Sequence, residues 1–220
     1  MQPYHEALLP GRSCIDPVFL PEIEHWSSFR CGSYTADWVA KAIGIAHPPA
    51  NLLLIGPIWF DLFRPITPRD MMELFKARGM NTVQIFLSKL SDAERLRWLK
   101  YQIAVRRRPP VLLIRTTTLH WLAVGGYDDD KEVFYVYDPN VGRVSTDPDL
   151  PIGNCMYRYD KLLRVWRGRW WLRYRSILVT EVSPRDLSNE KKELVLNAYA
   201  RGELVHQNPM IEKSLRSLSD

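Results

Sequence analysis

The stretch VLLIRTTTLHWLAVGGYDDDKEVFYVYD, residues 111–138, decides the architecture. Three short runs within it, Val111–Arg115, His120–Tyr127 and Glu132–Asp138, are rich in β-branched and aromatic residues, which suit a pleated, half-buried surface. The last two flank Asp128-Asp129-Asp130-Lys131, a polar turn, and so read as a β-hairpin. Upstream the periodicity is helical. Tyr34, Trp38 and Ala42 make one stripe after Cys31, Val39 and Ile43 the next, and Gly44 stands where a C′ residue belongs. Thr67, Pro68 and Asp70 open a second helix that Gly79 closes, and residues 81–87 suit a short strand. Ser91 and Glu94 form a further capping box, opening a helix to about Arg107 before Pro109 and Pro110 stop it. Helices first and an antiparallel sheet afterwards predict an α+β fold rather than alternating β-α-β units.

The flanks are less regular. Residues 1–30 read as an irregular arm, 45–66 and 139–158 as loops, and Tyr159–Trp166 as one or two helical turns. Trp170–Val182 reads as a long strand and Ser188–Arg201 as a charged amphipathic helix ending at Gly202.

The chain has 220 residues, 46% hydrophobic and 25% charged, enough for one domain with a sizeable core. No run approaches the roughly 18 uncharged apolar residues that a spanning helix needs. The N-terminus lacks the apolar core of a signal peptide, so the expected location is the cytoplasm, or outside the cell by a route that needs no such signal. Three cysteines, Cys14, Cys31 and Cys155, are too few for a disulfide scaffold. The five histidines and these cysteines show no paired spacing for a metal, and no phosphate-cradling glycine loop is present, so no cofactor is expected. A formal charge of +5 favours acidic partners only slightly and decides little by itself; nucleic-acid binders usually gather their charge on one face, and nucleic acid is not the expected partner. In WRGRWWLRYR, residues 166–175, an extended chain would place Arg167, Arg169, Arg173 and Arg175 on one face and aromatic residues on the other. Arginine interleaved with aromatics can grip nucleic acid or an acidic peptide, but the simpler account is a surface strand with its arginines outward.

Three residues carry chemistry. Cys31 begins a helix, where free N–H groups and the positive end of the dipole favour a thiolate. His120 starts one hairpin strand and Asp138 ends the other, so the open end of the hairpin brings a base and a carboxylate together. A thiol nucleophile needs both, the base to move protons and the carboxylate to orient it.

Together these segments resemble a known family. CGSYTADWVAKAIG, residues 31–44, is similar to the cysteine-glycine-helix opening of papain-like peptidases of the bacteriocin-processing, double-glycine type. HWLAVGGYDDDKEVFYVYDPNVG, residues 120–142, resembles their histidine strand, glycine-tyrosine region and aspartate-proline strand end. YDKLLRVWRG, residues 159–168, is similar to their final helix and tryptophan. The resemblance spans about residues 25–182, in the order Cys, His, Asp. It implies a papain-like fold over 31–182, between the arm (1–30) and a C-terminal helix and tail (183–220). Cys31 would be the nucleophile, His120 the general base and acid, and Asp138 the group orienting the imidazole. The implied activity is hydrolysis of a peptide or isopeptide-like amide in a peptide or protein substrate, through a thioester. The alternatives are acyl or amide transfer on the same scaffold, or an inactive papain-like binding module.

One position departs from the family. Papain-like enzymes commonly place a glutamine six residues before the cysteine as an oxyanion donor, and His25 stands there. Its ring N–H can donate in the same way, with Ser27 or Ser28 as the alternative.

The hairpin also makes a geometric demand. Residues directly opposite in an antiparallel pair share a face. His120 sits opposite Asp138 if Tyr127 pairs with Lys131, or Gly126 with Glu132. A regular loop over residues 128–131 instead turns His120 to the other face. The triad therefore requires a different loop or a β-bulge, for which Gly125-Gly126 is the natural place.

Overall fold

The computed structural model describes residues 8–16, 31–44, 66–76, 79–141, 150–168 and 173–182. In chain order the elements are β1 (Arg12–Cys14), α1 (Cys31–Ala42), α2 (Pro68–Lys76), β2 (Met80–Phe86), α3 (Asp92–Ala104), β3 (Val111–Arg115), β4 (Leu119–Asp128), β5 (Val133–Tyr137), β6 (Cys155–Arg158), α4 (Tyr159–Trp166) and β7 (Arg175–Val182). The strands form one antiparallel sheet in the order β2-β7-β3-β4-β5-β6, with β1 paired to the C-terminal part of β4. The fold is α+β.

Local chemistry explains the helices. At α2, Thr67 Oγ1 and the Asp70 carboxylate exchange hydrogen bonds with each other's backbone N–H, and at α3 Ser91 and Glu94 do the same. Gly44 and Gly79 follow α1 and α2 at φ values of 99° and 73°, a region that only glycine enters without strain. α1 is buried almost all round; only Asp37 and Lys41 reach intermediate exposure. It lies on β4, where Thr35 Oγ1 donates to the Trp121 carbonyl at 3.2 Å and Trp38 stacks on Tyr137 of β5 with ring centroids 5.4 Å apart. Phe134 points to the opposite face of β5 and meets Tyr159 of α4 at 4.7 Å. With both faces covered, β5 is buried throughout its length and β4 from His120 to Asp128.

Several expectations are corrected. The arm contains β1, whose register pairs Arg12 with Asp128 and Cys14 with Gly126. The segment read as loop over 139–158 contains a 3-10 turn, Pro139–Val141, and β6, which completes the sheet beside β5. α3 ends at Ala104, three residues early, because Val105 and Arg106 turn back to the Tyr101 carbonyl. The long strand starts at Arg175, after a turn at Arg173 and Tyr174, and Trp170 lies outside the described residues. Trp166 belongs to α4, and Tyr174 at φ 49° breaks any regular alternation. Arg167 instead donates to the Tyr174 hydroxyl at 3.0 Å, and Arg169 lies outside the described residues. The helix expected over 188–201 also lies outside them. Among the described residues no helix is long and apolar enough to cross a membrane.

Candidate active site

The open end of the β4–β5 hairpin brings His120 and Asp138 together. The hairpin loop is Asp129–Glu132, one residue later than the sequence suggests, so Asp128 pairs with Val133 and Tyr127 with Phe134. That register continued without interruption would turn His120 and Asp138 to opposite faces. It shifts by one between Val124 and Gly126, leaving Gly125 as the extra residue of a bulge. Beyond it Val124 pairs with Val136 and Ala123 with Tyr137, and the two site residues return to one face. They are not directly opposite, as the sequence reading required, but offset diagonally past the last pair of the ladder.

Gly125 is glycine for packing reasons. A Cβ there would stand 2.9 Å from Trp38 Cη2 and 3.0 Å from Ile152 Cδ1. Its carbonyl leaves the β4–β5 ladder and accepts from Ile15 N–H beside β1 at 2.8 Å.

His120 Nε2 and Asp138 Oδ1 are 2.6 Å apart, and both residues are buried, 2% and 3% exposed. Burial alone lowers the imidazole pKa. The hydrogen bond to Asp138, the contact with Cys31 and the charges of both outweigh burial and push the pKa up to about 9. Burial raises the Asp138 pKa, but the bonds from His120, the Tyr157 hydroxyl and the Asn140 backbone N–H hold it below the usual carboxylate range. With Nε2 engaged by Asp138, the ring nitrogen left for the thiol is Nδ1.

Cys31 is the first residue of α1 and is also buried. No acidic side chain sits in that first turn to compete for the free N–H groups. Gly32 lets Ile66 pass close by, since a Cβ there would fall 2.6 Å from Ile66 Cδ1. The Ile66 carbonyl in turn accepts from Trp121 Nε1 at 2.8 Å, which ties the start of α1 to β4 beside His120. The other two thiols are elsewhere. Burial pushes the Cys14 thiol up to about 11, and burial together with the Asp138 charge pushes Cys155 up to about 12.

Two residues that the sequence reading did not single out fix the carboxylate. Tyr157 of β6 donates its hydroxyl to Asp138 Oδ2 at 2.7 Å. Asn154 accepts from Asp138 N–H through Oδ1 and donates through Nδ2 to the Asp138 carbonyl, each at 2.8 Å. The Asn140 backbone N–H supplies a further bond to Oδ1 at 2.9 Å. Gly153 makes the approach possible. At φ 84°, its position would put a Cβ 2.2 Å from the Val136 carbonyl oxygen. The only sequence signal for this clasp is Gly153-Asn154, a turn pair in a stretch otherwise read as loop.

His25, Ser27 and Ser28 lie outside the described residues. Among the described residues no group of three or more histidine, cysteine or acidic side chains is placed to hold a metal ion. No protein-family model matches the chain, and no curated protein matches it at a significant level.

Proposed function

We propose that this chain is a papain-like cysteine peptidase that hydrolyses peptide or isopeptide-like amides through a thioester. The observation that carries the reading is the buried 2.6 Å contact between His120 and Asp138, with the imidazole also against Cys31 at a helix N-terminus. A buried His–Asp pair alone can be structural. A thiol on its other side makes a nucleophile, a proton carrier and an orienting carboxylate in one line.

Each proton has a place in this scheme. The Cys31 thiolate attacks the amide carbon, and the imidazolium of His120 stands ready at Nδ1. As the C–N bond breaks, Nδ1 gives its proton to the leaving amine. Water then attacks the thioester, His120 takes a proton from it, and the freed thiolate recovers the starting pair. In this scheme Asp138 stays ionised throughout, held by Tyr157, and engages Nε2, which leaves Nδ1 for the sulfur. The Cys31 backbone N–H is one oxyanion donor in this scheme and His25 the second. Small residues at the scissile bond, as in a double-glycine site, are the substrate that the family resemblance implies.

The test is cleavage of a quenched-fluorescent peptide library by the native chain and by Cys31→Ala, with products read by mass spectrometry. The reading expects amide cleavage that Cys31→Ala abolishes. Transfer of the acyl group to added hydroxylamine with little release to water would make the chain a transferase. No turnover and no thioester would leave a binding module.

A further inference from the structure

A second surface lies away from the triad and shares no residue with it or its hydrogen-bond network. Between β2, β7 and α3 an open groove of about 540 Å³ is floored by Val83, Leu178 and Trp98. Val83 is 40% exposed although it sits on a strand of the main sheet, whereas Phe86 alternates to the other face, where the Arg175 guanidinium lies 4.7 Å from its ring. Lys89, Arg106 and Arg108 stand around this apolar floor, and no carboxylate lines it. Arg108 Nε is buried with no hydrogen-bond partner. Leaving a buried cationic donor unsatisfied is costly, so such an atom marks a place where an acceptor belongs. Burial and the neighbouring Arg106 charge both disfavour the Arg108 cation, and an anion placed between the two would relieve that repulsion.

β2 adds a second kind of recognition. Among the described residues it pairs only with β7, and no described strand occupies its other edge beside the groove. An extended peptide can use such an edge, with alternate side chains falling over the sheet face. We infer that this groove docks an extended peptide segment carrying apolar side chains for the floor of Val83 and Leu178 and a carboxylate for Arg106 and Arg108. The cations define the charge, the floor defines the apolar content, and the strand edge favours a peptide over a compact small molecule. The proposal does not depend on Cys31 being a nucleophile.

The test uses the full chain carrying Cys31→Ala, so that binding is read without turnover. A fluorescein-labelled peptide of the repeat Leu-Thr-Glu-Thr, which sets leucine and glutamate on one strand face, is titrated by anisotropy, beside its glutamine counterpart. The expected result is saturable, salt-sensitive binding of the glutamate peptide only, weakened about tenfold or more by Arg108→Gln and by Arg106→Glu. Val83→Lys should weaken it as well, and thermal melts of all three variants should match the parent. Equal binding of the two peptides, or unchanged affinity in both arginine variants, would overturn the proposal. Full displacement by dodecanoate would overturn it too, by assigning the groove to an acyl anion. Failure here would leave amide cleavage by the native chain untouched.

Discussion

His120 Nε2 comes within 2.6 Å of Asp138 Oδ1 because Gly125 stands as an extra residue in β4. One inserted residue flips every side chain on one side of it to the other face, so the bulge works as a parity device for the candidate site. A methyl group at Gly125 would press into Trp38 and Ile152, both buried. Gly125→Ala is expected to destabilise the fold by about 1–3 kcal/mol. Deleting Gly125 should be worse for activity than for folding, since a regular ladder can form but turns His120 away. Thermal melts and peptide cleavage on both variants check this. A deletion variant with full activity would show that the bulge is incidental.

Tyr157 acts on Asp138 through a single hydroxyl. Without it the carboxylate loses a donor that lowers its pKa, so its titration moves to higher pH. Tyr157→Phe should therefore shift the acid limb of the pH–kcat/KM profile upward while activity near neutrality changes little. An unchanged acid limb would leave Tyr157 with a packing role only.

Asn154 satisfies both backbone groups of Asp138 in a buried setting. Asn154→Leu keeps the size and removes both partners, leaving an N–H and a carbonyl orphaned at about 1–3 kcal/mol each. The expected readout is a lower melting temperature together with reduced kcat. A variant as stable as the parent would mean that other groups can serve.

The pH dependence of stability follows from His120. Its folded pKa is raised above the ordinary value of 6.5 to about 9. Its stabilising contribution is fully present below about 6.5 and is lost as the pH rises through about 9, an effect of order 3 kcal/mol. Urea unfolding at intervals from pH 6 to 10 should show this loss, and His120→Gln should remove most of it. A flat profile in the native chain would contradict the charge state assigned to the pair.

Much of this was legible in the residues, for physical reasons. The hairpin announces itself through alternating β-branched and aromatic runs, and Gly125-Gly126 marks where a bulge fits. The start of α1 at Cys31 and both capping boxes also follow from local chemistry. The rest depends on tertiary context. β1 is only Arg-Ser-Cys and exists because β4 offers it an edge where β3 has ended. β6 follows a proline, a glycine and an asparagine, which read as loop, yet Gly153 lets the chain close on β5 and Asn154 reach Asp138. Parity alone could state that a bulge or another loop was needed. It could not give the diagonal offset, which depends on where the hairpin loop starts.

The most direct measurement is alkylation of the native chain by iodoacetamide at neutral pH, with sites read by peptide mass spectrometry. The reactive species is the thiolate, and burial holds Cys14 and Cys155 at about 11 and about 12. The expected result is rapid modification at Cys31 alone, slowed at least tenfold in His120→Ala, because the imidazole in contact with the sulfur is then gone. Labelling of Cys31 no faster than of Cys14 and Cys155, or at an equal rate with and without His120, would contradict the catalytic pair.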